Sequence, residues 1–166
     1  MPVSERVAAA LNAQVGRELE AHLQYLSISS HFDAEALPSL TAFFAAQADE
    51  EHQHAMKFVR YIQDVGAHLA IPSLAAPRNR FENAEEAVAL SLAWETEVTG
   101  HIDDIVTLAR ETADHATFSF LQWFVDEQVE EVSTMSDLLA LVRRAGEGNL
   151  LDVEALVARG AIGGEG

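Results

Sequence analysis

Acidic residues stand in four stretches of this chain at positions where a helix would turn an apolar face inward. They are Glu18, the pair Glu51-x-x-His54, Glu95, and the run Glu127-Gln128-Val129-Glu130-Glu131. At about 100° per residue, Glu18 falls inside a stripe made by Leu11, Val15, Tyr25 and Leu26. Glu51 lies at the centre of the stripe of Leu40, Phe44, Phe58, Ile62 and Val65, with His54 about 60° away on its edge. Glu95 sits among Val88, Leu92, Val98, Ile102 and Val106. Gln128 lies within the stripe of Leu121, Val125, Val132, Met135 and Leu139, and Glu131 on its edge.

Four helices therefore each send one carboxylate toward a common core: Glu18, Glu51, Glu95 and Glu131. Taking an ionised carboxylate out of water costs several kcal/mol even after relaxation. Four together also repel one another, so they must be protonated, paired with cations or bound to metal. No Lys or Arg shares these stripes, which leaves metal as the economical solution. Glu51 and His54, three apart on a helix, can reach one ion. A site of oxygens with one imidazole suits iron or manganese, and zinc also takes such ligands.

Four long helices must position these groups. The sequence predicts them at about residues 4–32, 38–65, 84–111 and 116–145, in stretches rich in Ala, Leu, Glu and Gln. Ser4 and Asn83 are expected N-caps, and Gly66 and Gly146 expected stops. A short fifth helix is expected at about 150–158, with a frayed end from Gly160 to Gly166. The first and third links are short, which makes their helices antiparallel neighbours. The second, Ala67 to Asn83, contains Pro72 and Pro77 and lacks a helical pattern. At roughly 3.3 Å per residue it is long enough to run the length of a helix. The fold class is thus all-α: one domain over 1–166, with two helical hairpins joined by one long crossover, the arrangement of ferritin-like bundles.

Composition agrees and excludes alternatives. The 166 residues suffice for one domain with a full core. The formal net charge of −17 argues against a nucleic-acid partner. No run is long and apolar enough for a membrane span, and no signal peptide is evident. The absence of cysteine excludes thiolate metal sites and fits a cytoplasmic protein.

At these residues the sequence resembles the ferritins, specifically the bacterial non-haem ferritins, from about Val7 to Ala158. The segments that carry the resemblance are Glu18 to Tyr25, Glu50-Glu51-His52-Gln53-His54, and Phe120 to Gln128. The resemblance implies that Glu18, Glu51 and His54 hold one iron, with Glu51 bridging to a second held by Glu95 and Glu131. It implies Gln128 near the dioxygen side, Tyr25 beside the centre, and a third iron site of Glu50, Glu127 and Glu130 shared with Glu131. Trp123 matches a Trp near the site, where packing is its expected role. The remaining histidines, His22, His31, His68, His101 and His115, have no motif and are read as surface or packing residues.

The family further implies ferroxidase activity, with Fe(II) and dioxygen or peroxide as substrates, and storage of ferric mineral inside a homo-oligomeric shell, a 24-mer. Helix four departs from the di-iron pattern by lacking a second Glu-x-x-His. That separates the chain from bacterioferritins, which carry His where Glu131 stands and a haem-binding Met where His52 stands, so haem is not expected. Three other readings remain on the sequence: a bacterioferritin-like variant with haem, a di-iron oxidase acting on an organic substrate, and a helical assembly or binding protein without metal.

Overall fold

The computed structural model describes residues 3–163. It contains α1 (Glu5–Ala34), α2 (Pro38–Asp64), α3 (Ala84–Glu111), α4 (His115–Ala145) and α5 (Leu150–Ala158), with one 3-10 turn at Glu147–Asn149. The described residues include no strand. Helix α1 runs two residues beyond the position expected from sequence, and α4 begins one residue earlier. The expected caps are in place. Ser4 Oγ accepts from Val7 N at 3.2 Å, and Asn83 Oδ1 accepts from Glu86 N at 2.8 Å. Gly66 and Gly146 take positive φ, where a side chain is disfavoured.

The two short turns use alanine where glycine is usual. Ala36 (φ 57°) and Ala113 (φ 52°) both adopt the left-handed conformation. Each is followed by a backbone bond that closes the helix end: Leu37 N donates to Phe32 O at 3.0 Å, and Asp114 N to Ala109 O at 2.8 Å. These closures fold α1 back on α2 and α3 back on α4.

The crossover is fastened along α1 by residues four apart. Asn12 donates to His68 O at 2.9 Å and accepts from Ala70 N at 2.7 Å. Glu20 accepts from Ala75 N at 2.9 Å, and Gln24 exchanges two bonds with Arg78, at 2.9 and 2.8 Å. Between them Gly16 lets the chain come close: a Cβ added there would lie 2.4 Å from Pro72 Cγ. The i, i+4 spacing puts all four on one ridge of the helix, so a segment without helical pattern has backbone groups of His68, Ala70, Ala75 and Arg78 satisfied by α1 side chains.

The C-terminal segment also ties elements together. Helix α2 has no side-chain cap of its own. The buried Glu154 of α5 supplies one, accepting from Ser39 N at 3.0 Å and Leu40 N at 3.1 Å. Glu147 does the same for α3, accepting from Ala84 N at 3.1 Å. The expected fraying from Gly160 is corrected as far as the structure describes it. Ile162 is buried and joins the core, because the chain turns back at Gly160 onto α2 and α4; Gly164 to Gly166 lie outside the described residues.

The core is split in two. One apolar cluster holds Phe32, Leu40, Phe44, Val88, Met135 and Leu138 among others, and the second holds Leu11, Val15, Phe58, Ile62, Ile102 and Leu121. The inward acidic residues occupy the bundle between them. Within the stripes expected from sequence, Leu26 is misassigned: it is 51% exposed. It stands one residue past Tyr25, which turns it about 100° out of the bundle. Val65, Leu92, Val106, Val125 and Val132 are half-buried rather than core residues.

Candidate metal centre

Each helix contributes to the centre at mid-length. Glu18 and Tyr25 come from α1, Glu51 and His54 from α2, Glu95 from α3, and Gln128 and Glu131 from α4; all seven are buried. Three sets of potential ligand atoms lie within 4.8 Å of one another: Glu18, Glu51 and His54; Glu51, Glu95 and Glu131; and His54, Glu127 and Glu131. Glu51 belongs to two of these sets, so it stands between the α1 side and the α3–α4 side of the bundle. His54 Nδ1 lies 3.4 Å from Glu51 Oε2 and 3.9 Å from Glu18 Oε2.

Some of the acceptors are satisfied and others are not. Glu95 is held on both oxygens: Tyr25 Oη donates to Oε1, and Gln128 Nε2 donates to Oε2 at 3.1 Å. The same Gln128 nitrogen lies 3.3 Å from Thr99 Oγ1. Gln128 thus turns its amide N–H toward the carboxylate. Gln14 Nε2 donates to Glu18 Oε1 at 2.7 Å, and Arg17 Nη1 donates to Gln14 Oε1 at 3.2 Å. In contrast, Glu18 Oε2, Glu51 Oε1 and Glu131 Oε2 are buried without any hydrogen-bond partner. Orphaned buried oxygens are rare in folded proteins, and each requires a cause.

The electrostatics follow from burial. Desolvation pushes the Glu18, Glu51, Glu95 and Glu131 carboxyls upward. Glu95 rises to about 7, with Tyr25 and Gln128 opposing the shift. Glu131 rises to about 9, where the nearby Glu95, Glu50 and Glu127 carboxylates add to burial. Burial lowers His54 to about 4, so its imidazole is neutral and free to ligate at neutral pH. No Lys or Arg pairs directly with the four inward carboxylates among the described residues. A cation is the group that removes both the repulsion and the orphaned oxygens.

The flanking residues form a second acidic place. Glu50 and Glu127 are half-buried and Glu130 is exposed. With Glu131 they line a pocket of about 490 Å³ between α2 and α4. Burial and the Glu127 carboxylate push Glu50 upward. Trp123, 41% exposed, stands edge-on to His54 with ring centroids 5.4 Å apart, and Lys57 Nζ lies 3.0 Å from the centre of its ring. It walls the imidazole from one side.

Sequence reasoning missed Gln14 and Thr99. Gln14 offered a signal, since it stands four residues before Glu18 on the same face. Thr99 offered none, because it does not stand out until α4 is placed beside it. Of the histidines without a motif, His22 meets Ala48 O at 2.7 Å through Nδ1, and His31 packs on Phe32 and Phe81.

Comparison with known proteins gives a consistent picture. Residues 8–145 match the family model described as "Ferritin: Ferritin-like domain". The chain is 39% identical over 151 residues to Ferritin BfrB of Mycobacterium tuberculosis, covering 91% of this chain and 83% of that protein. It is 37% identical over 145 residues to the bacterial non-heme ferritin of Staphylococcus aureus, covering 87% of each. Among solved structures, an open pore ferritin from the archaeon Archaeoglobus fulgidus superposes with a TM-score of 0.90 at 31% identity, over 93% of this chain and 96% of that one.

Proposed function

The chain belongs to the ferritin family, whose members store iron, and from that premise we propose that it oxidises Fe(II) at a di-iron centre within each subunit and stores the ferric product in a shell of 24 copies. The observation that carries the reading is the set of orphaned oxygens on Glu18, Glu51 and Glu131, grouped with His54 and Glu95 inside the bundle. Oxygen donors with one neutral imidazole suit ferrous iron, which is here the substrate.

In this reading Glu18, Glu51 and His54 bind one ferrous ion, and Glu51, Glu95 and Glu131 bind its neighbour. Two ferrous ions side by side supply two electrons to one dioxygen or peroxide. The chain's own work is positioning and proton movement. Gln14 holds Glu18, and Tyr25 and Gln128 hold Glu95, so the ligand oxygens are fixed before metal arrives. Glu131 and Glu95 keep protons in the empty protein and release them as cations enter. Glu50, Glu127 and Glu130 line the way out of the centre and hold a third iron on its path to the mineral.

The test is anaerobic addition of Fe(II) to the metal-free protein, then air, following ferric absorbance and particle size in the same sample. Fast oxidation of two or three irons per chain should be followed by slower uptake of many more into a particle of several hundred kilodaltons. Oxidation that stops at the first stage, on a small oligomer, overturns the storage reading and points to a di-iron enzyme with an organic substrate.

A further inference from the structure

Gln47 has no part in the reading above. It stands one helical turn before Glu51 on α2, its side chain is only 7% exposed, and its Oε1 has no hydrogen-bond partner. It lines the pocket between α2 and α4 together with Glu50, Glu127, Glu130 and Glu131. Of the carboxyls around this amide oxygen, the ionised ones accept hydrogen bonds and do not donate, and Glu131, which keeps a proton in the metal-free protein, makes no bond to it. Trp123 and Thr134 also line the pocket, yet neither bonds to it. On the side toward α5 the wall is apolar: Ile162 is buried, and Gly163 stands against Phe43 and Thr134. A buried acceptor facing other acceptors is unfavourable unless a positive charge sits among them.

We propose that Gln47 supplies a neutral oxygen ligand to the cation held in this pocket by Glu50, Glu127 and Glu130. The proposal rests on the reading of that acidic group as a third iron site, and adds to it a residue that none of the sequence motifs contains. The physical consequence is a setting of affinity. Hard cations bind more tightly as the number of charged oxygen ligands rises. An amide contributes a bond without a further negative charge, so the pocket holds iron in transit and does not trap the ferric product.

The experiment is calorimetric titration of Fe(II) under argon into the assembled, metal-free protein, comparing the native chain with Q47L, Q47E and E130A. Leucine keeps the bulk of Gln47 and removes its oxygen. The native protein should bind two ions tightly and a third more weakly, and E130A should identify the third event by losing it. Q47L should weaken that third event alone by about tenfold or more, the range typical for loss of a group supporting a metal site. Q47E should restore the third event or tighten it beyond native, and slow the later transfer of oxidised iron to the mineral. A third event unchanged in Q47L overturns the proposal and means that water satisfies Gln47. A native protein with two events and no third also overturns it while leaving the di-iron reading standing. Absence of the first two events in the native protein defeats both. Circular dichroism and particle size of each variant guard against misfolding, and recovery in Q47E separates a ligand role from a packing role.

Discussion

Glu51 is the residue on which the centre turns. It contributes to two of the three ligand groupings and leaves one oxygen without a partner. Replacing it with alanine should abolish fast Fe(II) oxidation, as should His54→Ala, while the helices and the assembly persist; stopped-flow absorbance and particle sizing read the two effects separately. Full oxidation rates in both variants would sink the site assignment. A second prediction concerns pH. Glu131 has a folded pKa of about 9 against an ordinary 4.5. In the metal-free protein its contribution to stability is full below about pH 4.5 and is lost as pH rises toward 9. His54 runs the other way, full above its ordinary 6.5 and lost as pH falls toward 4. The melting temperature of chelator-treated protein should therefore fall from pH 6.5 to 9, and Glu131→Gln should make that fall shallower. A slope as steep in the variant as in the native chain would refute the assignment. If Glu95 and Glu131 are ligands as proposed, Fe(II) binding must displace their protons and should strengthen over the same range.

At the scale of elements, the tie between α1 and the crossover governs whether the hairpins stay in register. Asn12, Glu20 and Gln24 bond the crossover backbone, and Gly16 admits Pro72 between them. Gly16→Ala would place its Cβ 2.4 Å from Pro72 Cγ, too close for any side chain. The crossover must move, and the substitution should destabilise the fold by about 1–3 kcal/mol despite alanine's better helix propensity. Denaturant unfolding measures the difference; a stabilised variant would show that the crossover moves freely over α1. The α2 and α4 seam is built differently. Phe58 and Tyr61 meet Phe120 and Phe124 there at centroid distances of 4.0–5.3 Å, leaving the space that the acidic pocket occupies further along.

For the molecule as a whole, the exposed apolar residues fall on several faces. Leu26 of α1 is 51% exposed, Ile71 and Leu74 of the crossover are open, and Leu151 of α5 is 75% exposed. Scattered exposed leucines are ordinary on a monomer. A subunit of a closed shell instead presents apolar area on each face that meets a neighbour. Leu26→Glu and Leu151→Glu should each reduce the particle to smaller species with the helical content unchanged, seen by light scattering after size exclusion. Particles of native size in both variants would remove these faces from the interfaces. No helix among the described residues is long and apolar enough to cross a membrane.

The sequence by itself determined the helices, their order and the inward acidic residues, because these are properties of one helix at a time. A period of 3.6 residues with Glu18, Glu51, Glu95 and Gln128 inside apolar stripes is readable without knowing what stands opposite. The lengths of the links separated the two short turns from the long crossover. What only the tertiary structure decided depends on contacts between segments far apart in the chain. Gln47 is unremarkable until α4 brings Glu127 and Glu130 beside it. Glu154 reads as a surface carboxylate until the N-terminus of α2, more than a hundred residues earlier, offers two unpaired amides. Asn12, Gly16, Glu20 and Gln24 read as a polar face until the crossover lies against them. Leu26 failed for the opposite reason: a wide apolar arc cannot say where the bundle ends and the surface begins. Periodicity gives the direction a side chain faces on its own helix, and only packing supplies the group it meets.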